Sequence, residues 1–249
     1  MAQFGNSVQP TTPIILNLII INVLVYLAQK FIPGATDWGS LHYFQSALFK
    51  PHQLITSVFM HDPDSYAHIL FNMFALWMFG SILERFWGSK KFLIFYLICG
   101  IGASIFIELT IPFSASQSAK SALQDAAQNT PGMLQGLSVD QLIAQNRDMY
   151  LQLISQAKEQ YSALGASGAI MGVMAAFAYL FPNTKLFIMF IPIPVAAKYV
   201  IPGFILFDLF GGLYQFRGDN IGHFAHLGGA LIGIILVLFW NRTNKQTFY

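Results

Sequence analysis

An all-α polytopic membrane protein, a single domain built as a bundle of six transmembrane helices with a short fourth member, is the fold class the sequence predicts. Three observations predict it. Of 249 residues, 55% are hydrophobic and 10% charged, against roughly 25% charged in an ordinary soluble domain. Six apolar runs meet or approach the about 20 residues a helix needs to cross a bilayer core of about 30 Å. Between them stand breaks such as Gly88-Ser89-Lys90-Lys91 and Phe181-Pro182-Asn183, where glycine and proline end helices. A soluble globule is excluded. The net charge of +2 gives no argument for a nucleic-acid partner, and one cysteine, Cys99, rules out an internal disulfide and a cysteine-based zinc site.

The runs are taken in order. Pro13 to Ile32 has no basic residue before it and no small-residue cleavage site after it, which predicts a retained anchor. Tyr66 to Trp87 and Phe92 to Ile111 flank the basic turn. A polar insert, residues 112–165, follows. Its second half has a capping-box pattern at Ser138 and Gln141, with apolar Leu142, Ile143, Met149, Tyr150, Leu153, Ile154 and Tyr161 at helical spacing. An amphipathic helix at the membrane surface and a solvated spacer are both open readings of it. The fourth run, Ala166 to Phe181, has 16 residues and spans about 24 Å, short of the bilayer core. The apolar stretch from Thr184 to Ala197 is broken by Pro192 and Pro194 and does not span. Lys198 to Phe216 and Gly222 to Trp240 complete the six.

Basic residues crowd the ends of the helices on one side: Arg85, Lys90, Lys91, Lys185, Lys198, Arg242 and Lys245, with Glu84 the lone acid there. The positive-inside rule makes that side cytoplasmic, with both termini inside. A bacterial inner membrane is the expected location, with the 112–165 insert extracytoplasmic.

Polar groups within apolar spans are functional suspects because burying them is costly. His68 and Asn72 stand four apart on one face of the second helix. Ser167 opens the short fourth helix, several Å below the surface, and His226 lies about 6 Å down the sixth. Gly168 and Gly172 on the fourth helix, and Ala225, Gly229 and Gly233 on the sixth, are small-residue stripes that let two helices approach closely. The stripes bring Ser167 and His226 to one seam. A serine nucleophile needs a base to take its proton and donors for the oxyanion. His226 is the candidate base; the Ser167 amide, His68 and Asn72 are candidate donors. No carboxylate is spaced to complete a triad, so a Ser–His dyad is expected.

These residues resemble those of the rhomboid family of intramembrane serine proteases. The resemblance rests on HILFN in the second helix, ERFWGSKK after it, GASGAIMG opening the fourth, FPN closing it and AHLGG in the sixth, in that order. It implies a rhomboid-like bundle with Ser167 as nucleophile, His226 as general base, and His68 and Asn72 as oxyanion partners beside the Ser167 amide. It also implies single-pass membrane proteins as substrates, without metal or cofactor; the depth of Ser167 predicts a cut near the outer end of their helix. Three departures stand out. His52-Gln53 occupies the place of a Trp-Arg pair, Met171 stands where some members carry an aromatic residue, and the insert is long.

His61, Gly165, Met171 and His223 are candidates for pocket or loop support. His223 and His226 lack an evident third ligand for a metal. Glu84 and Arg85 suit a cap or ion pair, Cys99 suits packing, and Asp208 has a partner, a water contact or a neutral acid open to it. Two rival functions are a non-proteolytic relative that binds membrane clients and a small transporter; no inverted repeat favours the latter.

Overall fold

The computed structural model describes residues 12–129, 137–187, 193–214 and 222–244. Helix α1, Pro13–Phe31, begins with proline at its first turn, where a missing N–H costs nothing. A loop follows that contains α2 (Ala35–Gly39), β1 (Leu41–His42) and α3 (Gln53–Thr56). Next, α4 (Tyr66–Ala75), a π-turn at Leu76–Gly80 and α5 (Ser81–Trp87) run on as one helix. Then come α6 (Ser89–Asn129), α7 (Val139–Gln145), α8 (Arg147–Glu159), β2 (Ser162–Ala163) and α9 (Ser167–Leu180). A hairpin of β3 (Lys185–Phe187) and β4 (Pro194–Ala196) leads to α10 (Ala197–Tyr214) and α11 (His223–Asn244). Among the described residues five helical stretches are long and apolar enough to cross a membrane, and α9 is a shorter apolar helix beside them. The expected end of the fifth span at Phe216, and Lys245 of the charge count, lie outside the described residues.

The third helix departs from expectation. Rather than stopping at Ile111, α6 continues through Pro112 to Asn129, 41 residues in all. Ile107, Ile111, Ala115, Ala119, Leu123 and Ala127 are buried at four-residue spacing, one continuous stripe. Helices α7 and α8 pack back along this extension, and Ser116 and Tyr150 share a 2.7 Å hydroxyl hydrogen bond. The capping box at Ser138 and Gln141 forms in both directions, but the helix it starts breaks at Asn146 into α7 and α8. Leu142 is buried and Ile143, Tyr150, Leu153, Ile154 and Tyr161 are half-buried, while Met149 is exposed, so the segment is helical and packs on α6 through part of its apolar set.

Helix α9 is the centre of the bundle. Every residue from Gly168 to Phe177 is buried, packed by α6, α10 and α11. The seam with α11 is as close as two backbones come: a Cβ on Gly229 would overlap the Gly168 carbonyl oxygen, and one on Gly233 would sit 2.6 Å from Gly172 Cα. On the other flank, a Cβ on Gly172 would lie 2.6 Å from Cys99 Sγ of α6. The cysteine therefore serves packing at the three-helix junction. Glu84 caps a neighbouring helix: its carboxylate accepts from Ile14 N (3.0 Å), Ile15 N (2.9 Å) and Ser89 Oγ (2.7 Å). A buried negative charge there meets the positive end of α1.

Candidate active site

The Ser65 hydroxyl caps α4 by accepting from His68 N, which fixes where the helix begins and hence where His68 stands. The His68 ring is oriented in turn by Asp62, whose backbone N–H donates to Nδ1 at 3.1 Å. An acceptor at Nδ1 leaves the proton on Nε2. His68 Nε2 is thereby a hydrogen-bond donor, and it faces Gly165: a Cβ built there would lie 3.3 Å from Nε2 and 3.5 Å from Ser167 Oγ. Gly165 has φ of +139°, a conformation that side chains disfavour, and its N–H is held by Ser57 O at 2.9 Å. The positive φ and the close approach to His68 favour glycine here. Ser167 is the first residue of α9, where backbone N–H groups have no partner within the helix.

One turn below His68, buried Asn72 donates to the His68 carbonyl at 2.9 Å. His226 projects from the first turn of α11. Its Nδ1 lies 2.9 Å from Asp208 Oδ1, and His223 Nδ1 lies 2.8 Å from the same oxygen. Asp208 is buried on α10. A carboxylate oxygen accepts, so Oδ1 takes an Nδ1–H from each ring, and His226 with its proton there keeps Nε2 as the basic nitrogen. Sequence spacing marks no carboxylate to complete a triad, yet the fold brings Asp208 to the histidine, and of the readings open for Asp208 the structure shows a partner. Asp208 was visible as an acid inside a span, but the rotation of an apolar helix about its own axis is not written in its sequence.

Ser167, His226, His68, Asn72, Gly165, Met171, His223 and Asp208 all line one open cavity. His61 stands behind it, with its ring packed edge-on to His68 at 5.2 Å. Gln29 clamps the His61 backbone, accepting from its N–H at 3.0 Å and donating to its carbonyl at 2.8 Å. Burial, with a smaller push from His68, brings the His61 imidazole down to about 4, so it packs as a neutral ring. Gln53 is buried in the loop after α1, where its amide accepts from Lys50 N (3.1 Å) and His42 N (3.3 Å) and donates to Leu48 O (3.1 Å). His52 stacks on Trp38, centroids 4.3 Å apart. The His-Gln pair thus organises this loop. From its far end, Leu41 and His42 pair with Ala163 and Ser162 just ahead of Gly165. Among the described residues no three His, Cys, Asp or Glu side chains are grouped to hold a metal ion.

A family model described as "Rhomboid domain" matches residues 49–242. The chain is 29% identical over 241 residues to RHOMBOID-like protein 12, mitochondrial, of Arabidopsis thaliana, covering 94% of this chain and 60% of the relative. It is 24% identical over 182 residues to Rhomboid protein 1, mitochondrial, of Saccharomyces cerevisiae, covering 73% and 40% respectively. To the Rhomboid protease GluP of Bacillus subtilis it is 25% identical over 222 residues, covering 86% and 32%. The chain therefore spans less than two thirds of the length of these relatives. The mitochondrial relatives, with a chloroplastic one beside them, overturn the expected bacterial inner membrane with cytoplasmic termini and point to an organellar membrane. The multi-pass character stands. With its short fourth helix seated at the centre of the bundle and the family model matched over most of its length, the chain belongs to the rhomboid family.

Proposed function

We propose that the protein is a serine endopeptidase that cleaves single-pass membrane proteins near the end of their helix on the side of the insert. The observation that carries this reading is the convergence of Ser167 Oγ and the His68 Nε2 donor at Gly165, in the cavity that also receives His226. Ser167 Oγ attacks the scissile carbonyl while His226 Nε2 takes the hydroxyl proton. The developing oxyanion receives the His68 Nε2–H, the Ser167 N–H and the Asn72 amide. His226 then gives its proton to the leaving amine. Water, activated by the same histidine, hydrolyses the acyl-enzyme.

Depth sets where the cut falls. The 14 residues of α9 span about 21 Å, so with Phe181-Pro182-Asn183 at the far boundary of a core of about 30 Å the serine end lies below the near one. A substrate helix must unwind there before its carbonyls are open to attack. Purified protein incubated with a panel of single-pass substrates is expected to cleave them, with Ser167→Ala abolishing both cleavage and fluorophosphonate labelling. Substantial cleavage by the purified Ser167→Ala variant would overturn the reading.

A further inference from the structure

We propose that Asp208 is a positioning residue for the hydrolytic reaction: it holds His226 by Nδ1 and is itself braced by His223. The inference rests on the serine-protease reading and extends it from two residues to a relay across α9, α11 and α10.

Three observations lead to it. The first is placement. On α10 the buried residues are Ala197, Ile201, Asp208, Gly211 and Gly212, while Leu206, Phe207, Leu209 and Phe210 around the acid are exposed on the protein surface. Asp208 is thus the one charged group on a face that otherwise buries small and apolar side chains against α9 and α11. An ionised carboxylate in such a place is costly, and packed apolar residues there commonly stabilise a protein as well or better. Helix docking alone gives no reason for an acid.

The second observation is geometric. One oxygen, Oδ1, takes both imidazole Nδ1 contacts, at 2.8 Å from His223 and 2.9 Å from His226. With Nδ1–H of His226 tied off, its ring cannot flip to present the wrong nitrogen, and Nε2 remains the base. When Nε2 takes the serine proton, the positive charge on the ring faces the buried Asp208 carboxyl at hydrogen-bond distance. That is where such an interaction is strongest. No proton passes to Asp208; the imidazole keeps its Nδ1 proton throughout.

The third observation is the seat of His223. A Cβ on Gly211 would overlap the His223 ring, so glycine leaves the room that the ring occupies. Phe207 closes the other side, with centroids 5.8 Å apart. A ring held on two sides fixes the carboxylate oxygen it touches, and through that oxygen the setting of His226.

The test measures cleavage of one single-pass substrate by full-length protein in detergent, with active sites counted by fluorophosphonate labelling. Asp208→Asn is expected to lower kcat per labelled site by about 10²–10⁴-fold, with KM changed less than about threefold. Asp208→Glu, which restores the charge, is expected to recover at least tenfold of that loss. His223→Leu is expected to lower kcat by about 3–30-fold, and His223→Gln, which returns an N–H donor, to recover most of it. A merely structural acid would instead reduce the number of labelled sites and the Tm, leaving turnover per site unchanged. Turnover per site for Asp208→Asn within threefold of the parent overturns the proposal. If Asp208→Asn does not fold, parental turnover by His223→Leu overturns it. Ser167→Ala in the same assay separates the two levels, since cleavage by that variant defeats the protease reading itself, whereas its silence beside an active Asp208→Asn defeats only the role of Asp208.

Discussion

Helices α9 and α10 each bring one polar side chain to the same cavity, Ser167 and Asp208, yet they are held in opposite ways. Along α9, ten consecutive residues from Gly168 to Phe177 are buried, and its backbone touches that of α11 through glycines. Along α10, burial is confined to one narrow face, and the rest, including Phe204, Leu213 and Tyr214, is exposed. Close packing of backbone on backbone has no soft degree of freedom. A helix docked through a few side chains has several. The distance between the α9 and α11 backbones is therefore set by packing, while the approach of Asp208 depends on the polar contacts it makes for itself.

Glycine substitutions probe this contrast. Gly229→Ala should have the largest effect, because its methyl group meets the Gly168 carbonyl and neither backbone can yield. Separation of α9 from α11 is expected to cost about 1–3 kcal/mol, seen as a lower Tm, and, on the protease proposal, to lower kcat by about 100-fold as Ser167 moves away from His226. Gly211→Ala should fall between the extremes. Its methyl group displaces the His223 ring, a side chain that can move, so kcat per labelled site is expected to fall about 3–30-fold with little change in Tm. Gly203→Ala, also on α10, has nothing within 4 Å of the new methyl group. It should leave kcat unchanged and raise stability by at most about 1 kcal/mol, through the better helix propensity of alanine. Equal losses at Gly203 and Gly229 would erase the distinction between the two helices.

The contrast also explains what could be read ahead of the structure. The spans and their breaks were legible because glycine, proline and charge mark the edges of lipid-facing helices, as at Gly88 and Pro182. The pairing of α9 with α11 was legible because only small residues permit such an approach, and they recur every four positions from Gly168 and from Ala225. The partner of Asp208 was not, since α10 is apolar toward lipid and toward protein alike, and no stripe marks its inward face. The run of α6 beyond Ile111 was missed for another reason. Loss of apolarity at Ser114 to Lys120 marks the end of the bilayer, not of the helix, and Ala115, Ala119 and Leu123 keep the helical stripe for a partner supplied by the insert itself. The β3–β4 pair escaped because three residues per strand are too few to show alternation.

The 41 residues of α6 also have a mechanical consequence. A helix of that length is a rod of about 62 Å, roughly twice the thickness of a bilayer core. One arm is anchored against α9 and α11, and the other has α7 and α8 packed along it. Pro112 sits near the middle, where one rung of hydrogen bonding is missing and bending concentrates. The stretches on either side of that proline, residues 89–111 and 113–129, are about 35 and about 26 Å long, so a bend of about 5° there sweeps the outer tip through about 2 Å relative to the inner arm. Such a bend moves α7 and α8 while Cys99, on the inner arm, stays packed against Gly172.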